Sequence, residues 1–164
     1  MNIFKNTDSL SLTATLDKST IDLVLTDPPY IISHETGFKS VKNGVQRFAV
    51  ETEFGDWDKP ENFSLGALED SIKEYYRVLR AGGTAIIFCD IWKITKIKEI
   101  LERNKFKQIR LIDWIKTNPV PLNSSRNYLT NSREVALSAV KVSKPTFNSK
   151  YDNGLYRYPI CHDK

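Results

Sequence analysis

An α/β fold, an open sheet with helices on both faces, is predicted by three observations: short apolar runs of strand length, stretches of helical spacing between them, and their alternation along the chain. The first run, residues 21–27 (IDLVLTD), is continuously apolar until its end, which reads as a strand buried on both faces in a parallel sheet. Residues 66–80 (GALEDSIKEYYRVLR) then place Leu68, Ile72, Tyr75, Tyr76 and Leu79 on one side at helical spacing, and Ala81-Gly82-Gly83 supplies a C-terminal stop. Residues 84–90 (TAIIFCD) form a second buried strand. Residues 91–104 (IWKITKIKEILERN) repeat the helical pattern through Ile94, Ile97 and Leu101, with Lys93, Lys96 and Glu99 assigned to a solvated face. Residues 106–117 and 133–141 (REVALSAVK) read as two more strands. The order strand, helix, strand, helix, strand predicts a sheet wound with right-handed crossovers.

The 164 residues, 40% hydrophobic and 27% charged, suit one domain with a single core. There is no run of 18 or more apolar residues and no signal-peptide core at Met1-Asn2-Ile3-Phe4, so the expected compartment is the cytoplasm, with no membrane partner. Cys89, Cys161, His34 and His162 lack any zinc-binding spacing, and reduced thiols without a metal are expected. A net charge of +4 and a pI near 9.0 are compatible with a polyanion, or with an ordinary lysine-rich surface.

Three segments lack the periodicity: residues 31–63, 118–132 and 143–164. Long unstructured loops are uncommon unless they are functional or disordered. The first carries Lys39, Lys42 and Arg47 with Phe38, Phe48, Phe54 and Trp57, a mixture suited to phosphates and stacking, or to a surface lid. The second is rich in turn formers and holds Asn123, Arg126 and Asn127, side chains able to read base edges.

The first strand ends in Asp27-Pro28-Pro29-Tyr30. Proline fixes φ, lacks an N–H and holds the preceding residue extended, so this tetrapeptide is stiff. It sits at a carboxyl end of the sheet, where open α/β folds bind ligands. The Asp27 carboxylate and the Pro28 carbonyl are two acceptors, and Tyr30 is a stacking ring. Together they fit a planar ring bearing an exocyclic amine, whose two hydrogens they would accept. Holding both hydrogens in a tetrahedral arrangement frees the nitrogen lone pair for attack. An amino base in a duplex would first have to flip out.

These residues resemble the catalytic motif of the amino-group DNA methyltransferases, which methylate adenine N6 or cytosine N4 with S-adenosylmethionine. Residues 76–83 (YRVLRAGG), 113–121 (DWIKTNPVP) and 132–137 (SREVAL) resemble later blocks of that family in the same order. The resemblance implies part of a Rossmann-like methyltransferase sheet, double-stranded DNA as partner, catalysis by Asp27, Pro28, Pro29 and Tyr30, and adenine N6 rather than cytosine N4 as target, since aspartate opens the motif. A catalytic motif this early is similar to the permuted β subgroup, in which the cofactor-binding half comes last. That subgroup's late glycine-rich Asp-Pro-Phe-x-Gly-Ser-Gly loop is absent here, so residues 1–164 are expected to be the catalytic portion alone. A homodimer, or a chain supplying the other half, is then the expected partner, and a noncatalytic nucleic-acid- or partner-binding module is the alternative.

Residues 6–10 (NTDSL) are similar to the family's Gly-Asp-x-Leu block, with Thr7 in place of its glycine. The resemblance implies that Asp8 and Ser9, at a strand end, approach the cofactor along with Asp27; a helix cap or turn is the plain alternative. Lys39, Lys42, Arg47 and Arg126 are the expected DNA contacts. Lys116 would face phosphate, or else core and solvent in a Trp-x-Lys strand.

Overall fold

The structure, a computed structural model, describes residues 4–30, 64–119, 132–142 and 144–161, and the backbone alone of residues 38–42 and 45–50. In chain order these form α1 (Ser9–Ala14), β1 (Ile21–Thr26), β2 (Phe38–Lys42), β3 (Val45–Val50), α2 (Leu65–Val78) and β4 (Leu79–Cys89), then a 3-10 turn (Ile91–Lys93), α3 (Ile94–Arg103), β5 (Phe106–Lys116), β6 (Arg133–Lys141) and β7 (Leu155–Tyr158). Five strands make one sheet in the order β1-β4-β6-β5-β7, while β2 and β3 pair with each other.

The sheet is mixed. β1 runs parallel to β4 and β5 parallel to β7, but β6 is antiparallel to both β4 and β5. An all-parallel sheet was the expectation, and the reason for the difference is physical: a strand buried on both faces has the same apolar run in either direction, so periodicity carries no sign of polarity.

Strand alternation decides which side chains meet the helices. Ala85, Ile87 and Cys89 of β4 and Val135, Leu137 and Ala139 of β6 form one core cluster with Leu68, Ile72 and Tyr75 of α2 and Ile97, Ile100 and Leu101 of α3. Tyr76 meets Phe106 edge-on, with ring centroids 5.1 Å apart. The opposite side of β1 is bare, with Leu23 51% and Leu25 63% exposed.

Helix α2 starts where the Ser64 hydroxyl accepts from the Ala67 N–H at 3.2 Å. It ends at Val78, because Leu79 is already extended, so β4 begins before the two glycines rather than after them. Gly82, expected as a helix stop, lies inside β4 at φ +80°, where a β-carbon would come within 2.6 Å of the Lys144 carbonyl oxygen. This irregularity falls at the lower edge of the sheet, where cations bind main-chain carbonyls. Arg77 donates to the carbonyls of Leu16 at 3.0 Å and Thr13 at 2.8 Å. Lys141 donates to Leu79 O at 2.6 Å and lies 4.9 Å from the Tyr76 ring centroid. Burial lowers the Lys141 pKa.

Three elements differ from the sequence reading. Residues 6–10, expected as a strand end, lead into α1, with Asp8 as its N-cap. The segment 31–63 contains the β2–β3 hairpin, and residues 143–164 contain β7, an edge strand of exposed residues. Segment 118–132 lies largely outside the described residues. No described helix is long and apolar enough to cross a membrane.

Candidate active site

Because β6 runs antiparallel, its first residues lie at the same edge as the last residues of β1, β4 and β5. This upper edge gathers Asp27–Tyr30, Asp90–Lys93, Lys116 and Glu134.

The tetrapeptide leaves β1 with Asp27 exposed and Pro28, Pro29 and Tyr30 half-buried. Burial, then a hydrogen bond to Asp27 and that carboxylate's charge, hold the Tyr30 phenol above its ordinary pKa, with smaller contributions from Glu134 and Cys89. Tyr30 is therefore a neutral donor to Asp27, and the carboxylate keeps further acceptor capacity for an outside N–H. Among the described residues no hydrogen bond occupies the Pro28 carbonyl.

The neighbouring strands enclose this end. Asp90 caps the 3-10 turn by accepting from the Trp92 N–H at 3.1 Å, and Trp92 itself is 89% exposed. Lys93, assigned to a solvated face from sequence, instead donates to the Tyr30 carbonyl, with its ammonium 4.0 Å from Asp90. Lys93 ends the 3-10 turn before α3 rather than lying on the helix whose spacing assigned it to solvent, and only the strand order could have revealed its partner. Lys116 pairs with Glu134 and lies 5.7 Å from the Trp114 ring centroid, so its partner is a carboxylate of the next strand. Burial and the Asp90 charge push the Cys89 thiol up to about 12. No metal-binding cluster occurs among the described residues.

The other expected site residues stand apart from this edge in what they are seen to contact. The Asp8 carboxylate accepts from the Ser11 N–H at 2.8 Å, which lowers its pKa, and the Ser9 carbonyl accepts from the Thr13 hydroxyl at 2.8 Å. Both contacts lie within α1. Lys39 and Lys42 fall in β2, paired with Ala49 and Val45, and Arg47 falls where the β2–β3 register shifts. Arg126 lies outside the described residues. The described glycines with positive φ form no cradle for a nucleotide at this edge. Gly82 serves the fold as above, and a β-carbon on Gly154 would meet the Leu111 carbonyl oxygen at 2.7 Å.

Comparison with known proteins gives the family and the fold. A family model for DNA methylases of the N6 and N4 type matches residues 21–158. Type II methyltransferase M2.LlaDCHI of Lactococcus lactis subsp. cremoris is 32% identical over 98% of this chain and 56% of its own length. M2.DpnII of Streptococcus pneumoniae matches at the same identity and coverage, and M.HinfI of Haemophilus influenzae is 32% identical over 92% of this chain and 43% of its own. The chain thus spans about half the length of the curated relatives it matches. Among solved structures, PvuII DNA methyltransferase (cytosine-N4-specific) superposes with a TM-score of 0.66 at 13% identity, covering 96% of this chain and 57% of that one. M1.HpyAVI does so at 0.52 and 27% identity, covering 85% and 56%. With its proline-stiffened acceptor group at the carboxyl edge of an α/β sheet and the family match running across nearly all of that sheet, this chain belongs to the DNA methylase family.

Proposed function

We propose that the chain carries the methyl-acceptor side of a cytoplasmic DNA methyltransferase that modifies the N6 amine of a flipped adenine. The observation that carries this reading is the end of β1, where an exposed carboxylate beside Tyr30 stands one residue from a main-chain carbonyl to which no hydrogen bond is made among the described residues. The amine of a DNA base has two hydrogens and a lone pair delocalised into the ring. Asp27 and the Pro28 carbonyl accept one hydrogen each, and the nitrogen rehybridises toward a tetrahedral nucleophile. As its N–C bond to the methyl group would form, the bond from that carbon to the donor's sulfonium sulfur would break with its electron pair left on sulfur, and the nitrogen's departing proton would be held at the Asp27 carboxylate. Tyr30 stacks on the base.

S-adenosylmethionine is the proposed source of the methyl group. The residues fit the acceptor side of its chemistry, and the described glycines form no cradle for its methionine end, so the chain by itself is expected to bind it weakly. Asp8, Ser9 and Asp27 are the proposed contacts on the cofactor side, although Asp8 already caps α1. Lys39, Lys42, Arg47 and Arg126 are proposed to bind double-stranded DNA. A second copy, or a chain supplying the remaining half seen in the relatives, is the proposed partner, and a role beside a restriction enzyme follows from the relatives' type II names.

The test is transfer of labelled methyl groups from S-adenosylmethionine to unmethylated duplex DNA, followed by nucleoside analysis. N6-methyladenine is the expected product; N4-methylcytosine would move the target but keep the mechanism. Methylation of protein or small amines without DNA would overturn the reading. Salt-dependent DNA binding with no transfer, even after the missing half is supplied, would favour a noncatalytic module.

A further inference from the structure

The tetrapeptide raises a mechanical problem. Pro28 and Pro29 have no N–H, so two of its four residues can accept but cannot donate hydrogen bonds. Beyond the end of the β1 ladder, its position relative to the sheet must therefore be set by donors that reach its carbonyls. The structure supplies one from the 3-10 turn that follows the neighbouring strand. Lys93 donates from its ammonium to the Tyr30 carbonyl. Its own backbone is held at the end of β4, because its N–H donates to the Asp90 carbonyl at 2.9 Å and the Asp90 carboxylate caps the turn through Trp92. The same carboxylate lies 4.0 Å from the Lys93 ammonium, and both side chains are mostly shielded, 23% and 16% exposed. A charged donor at the end of a flexible stem would be a poor strut in water. Here its anchor and its partner are both fixed.

We propose that Lys93 is a positioning residue, which holds the Asp27–Tyr30 tetrapeptide at the working distance from the end of β4 by fixing the Tyr30 carbonyl, with Asp90 as its counter-charge. The proposal rests on the reading of Asp27 and Pro28 as acceptors for the target amine. A shift of about 1 Å in reacting groups lowers rate by about 100-fold while leaving more distant binding contacts in place. Removing the strut should accordingly act on turnover rather than on affinity.

Tyr30-Ile31 is the only Tyr-Ile pair in the chain, so labelling tyrosine carbonyl carbon with 13C and isoleucine nitrogen with 15N gives a single correlated signal, that of the Tyr30 carbonyl. Lys93→Met should move this signal upfield as the hydrogen bond is lost, Lys93→Arg should restore much of the shift, and Lys96→Met should leave it in place. In methyl transfer, Lys93→Met should reduce kcat about 10- to 100-fold with KM for DNA and cofactor nearly unchanged, and Lys93→Arg should recover most of the loss. An unmoved carbonyl signal in Lys93→Met would overturn the contact. A moved signal with normal kcat would overturn the positioning role. If the wild-type chain transfers no methyl group, supplied with its other half, the proposed function fails; the carbonyl signal still decides whether Lys93 holds the tetrapeptide.

Discussion

The two edges of the sheet use the same device for different ends. At the lower edge the Lys141 ammonium binds the Leu79 carbonyl, with no ion pair to a carboxylate among the described residues and the Tyr76 ring beneath. At the upper edge the Lys93 ammonium binds the Tyr30 carbonyl with the Asp90 carboxylate close by. The lower contact joins α2, β4 and β6, three elements that are already packed together. The upper one holds four residues that have left the ladder. A cation on a carbonyl is thus a staple where the chain is embedded and a strut where it projects, and the difference lies in what the carbonyl belongs to.

The strongest test of that contrast is Asp27→Ala. It should lower methyl transfer by about 1000-fold or more while the exposed position leaves unfolding free energy within about 0.5 kcal/mol. A variant that lost both together would show that the upper edge is structural too. Lys141→Met should do the reverse. Loss of its charge-assisted hydrogen bond is expected to cost about 1–3 kcal/mol in denaturant unfolding, with transfer per folded molecule unchanged. Reduced turnover at full stability would mean that the lower staple reaches the site.

A second stability contrast separates the two faces of the sheet. Ile87→Ala, under the helices, should cost about 2–4 kcal/mol, whereas Leu25→Ala on the bare side of β1 should change chemical stability by less than about 0.5 kcal/mol. Equal losses would show that Leu25 is covered in solution. The smallest effect concerns thiol titration. The Cys89 pKa is raised to about 12 by burial first and Asp90 second, so its reactive thiolate is scarce at pH 8, while Cys161 is exposed. One fast-reacting thiol per chain is expected with a maleimide. The sign also bears on stability: a raised folded pKa contributes fully below the ordinary thiol pKa and is lost as pH climbs toward 12. Two fast thiols would place Cys89 outside the packed upper edge.

Where the chain carries continuous apolar runs, the sequence is nearly sufficient for strand bounds but not for burial: β6 is buried on both faces, whereas β1, expected to be so, leaves Leu23 and Leu25 exposed. β6 spans Arg133–Lys141 as its pattern indicates, and β1 and β5 end one residue earlier than theirs. β7 gave no such run, since its residues are exposed at an edge, and α1 is too short for helical periodicity to develop. The hairpin had a usable signal in Asn43-Gly44 between two alternating stretches, a dipeptide suited to a tight turn. At the site, Asp27–Tyr30 was legible because its stiffness is covalent and local. Lys93, Asp90 and the Lys116–Glu134 pair were not, because what brings them together is strand order, and β6 had first to run antiparallel for Glu134 to reach that edge.

Strand β1 pairs only with β4, and its outer side, next to Leu23 and Leu25, meets no other described strand. Its ladder groups there can be satisfied by water or by another polypeptide, and the second choice depends on how much polypeptide is present. The midpoint of unfolding should then rise with protein concentration, as for any species whose native form is drawn off by association. Dilution should then act on this fold as temperature or denaturant does, and a midpoint that stays put with concentration would show that water satisfies those groups.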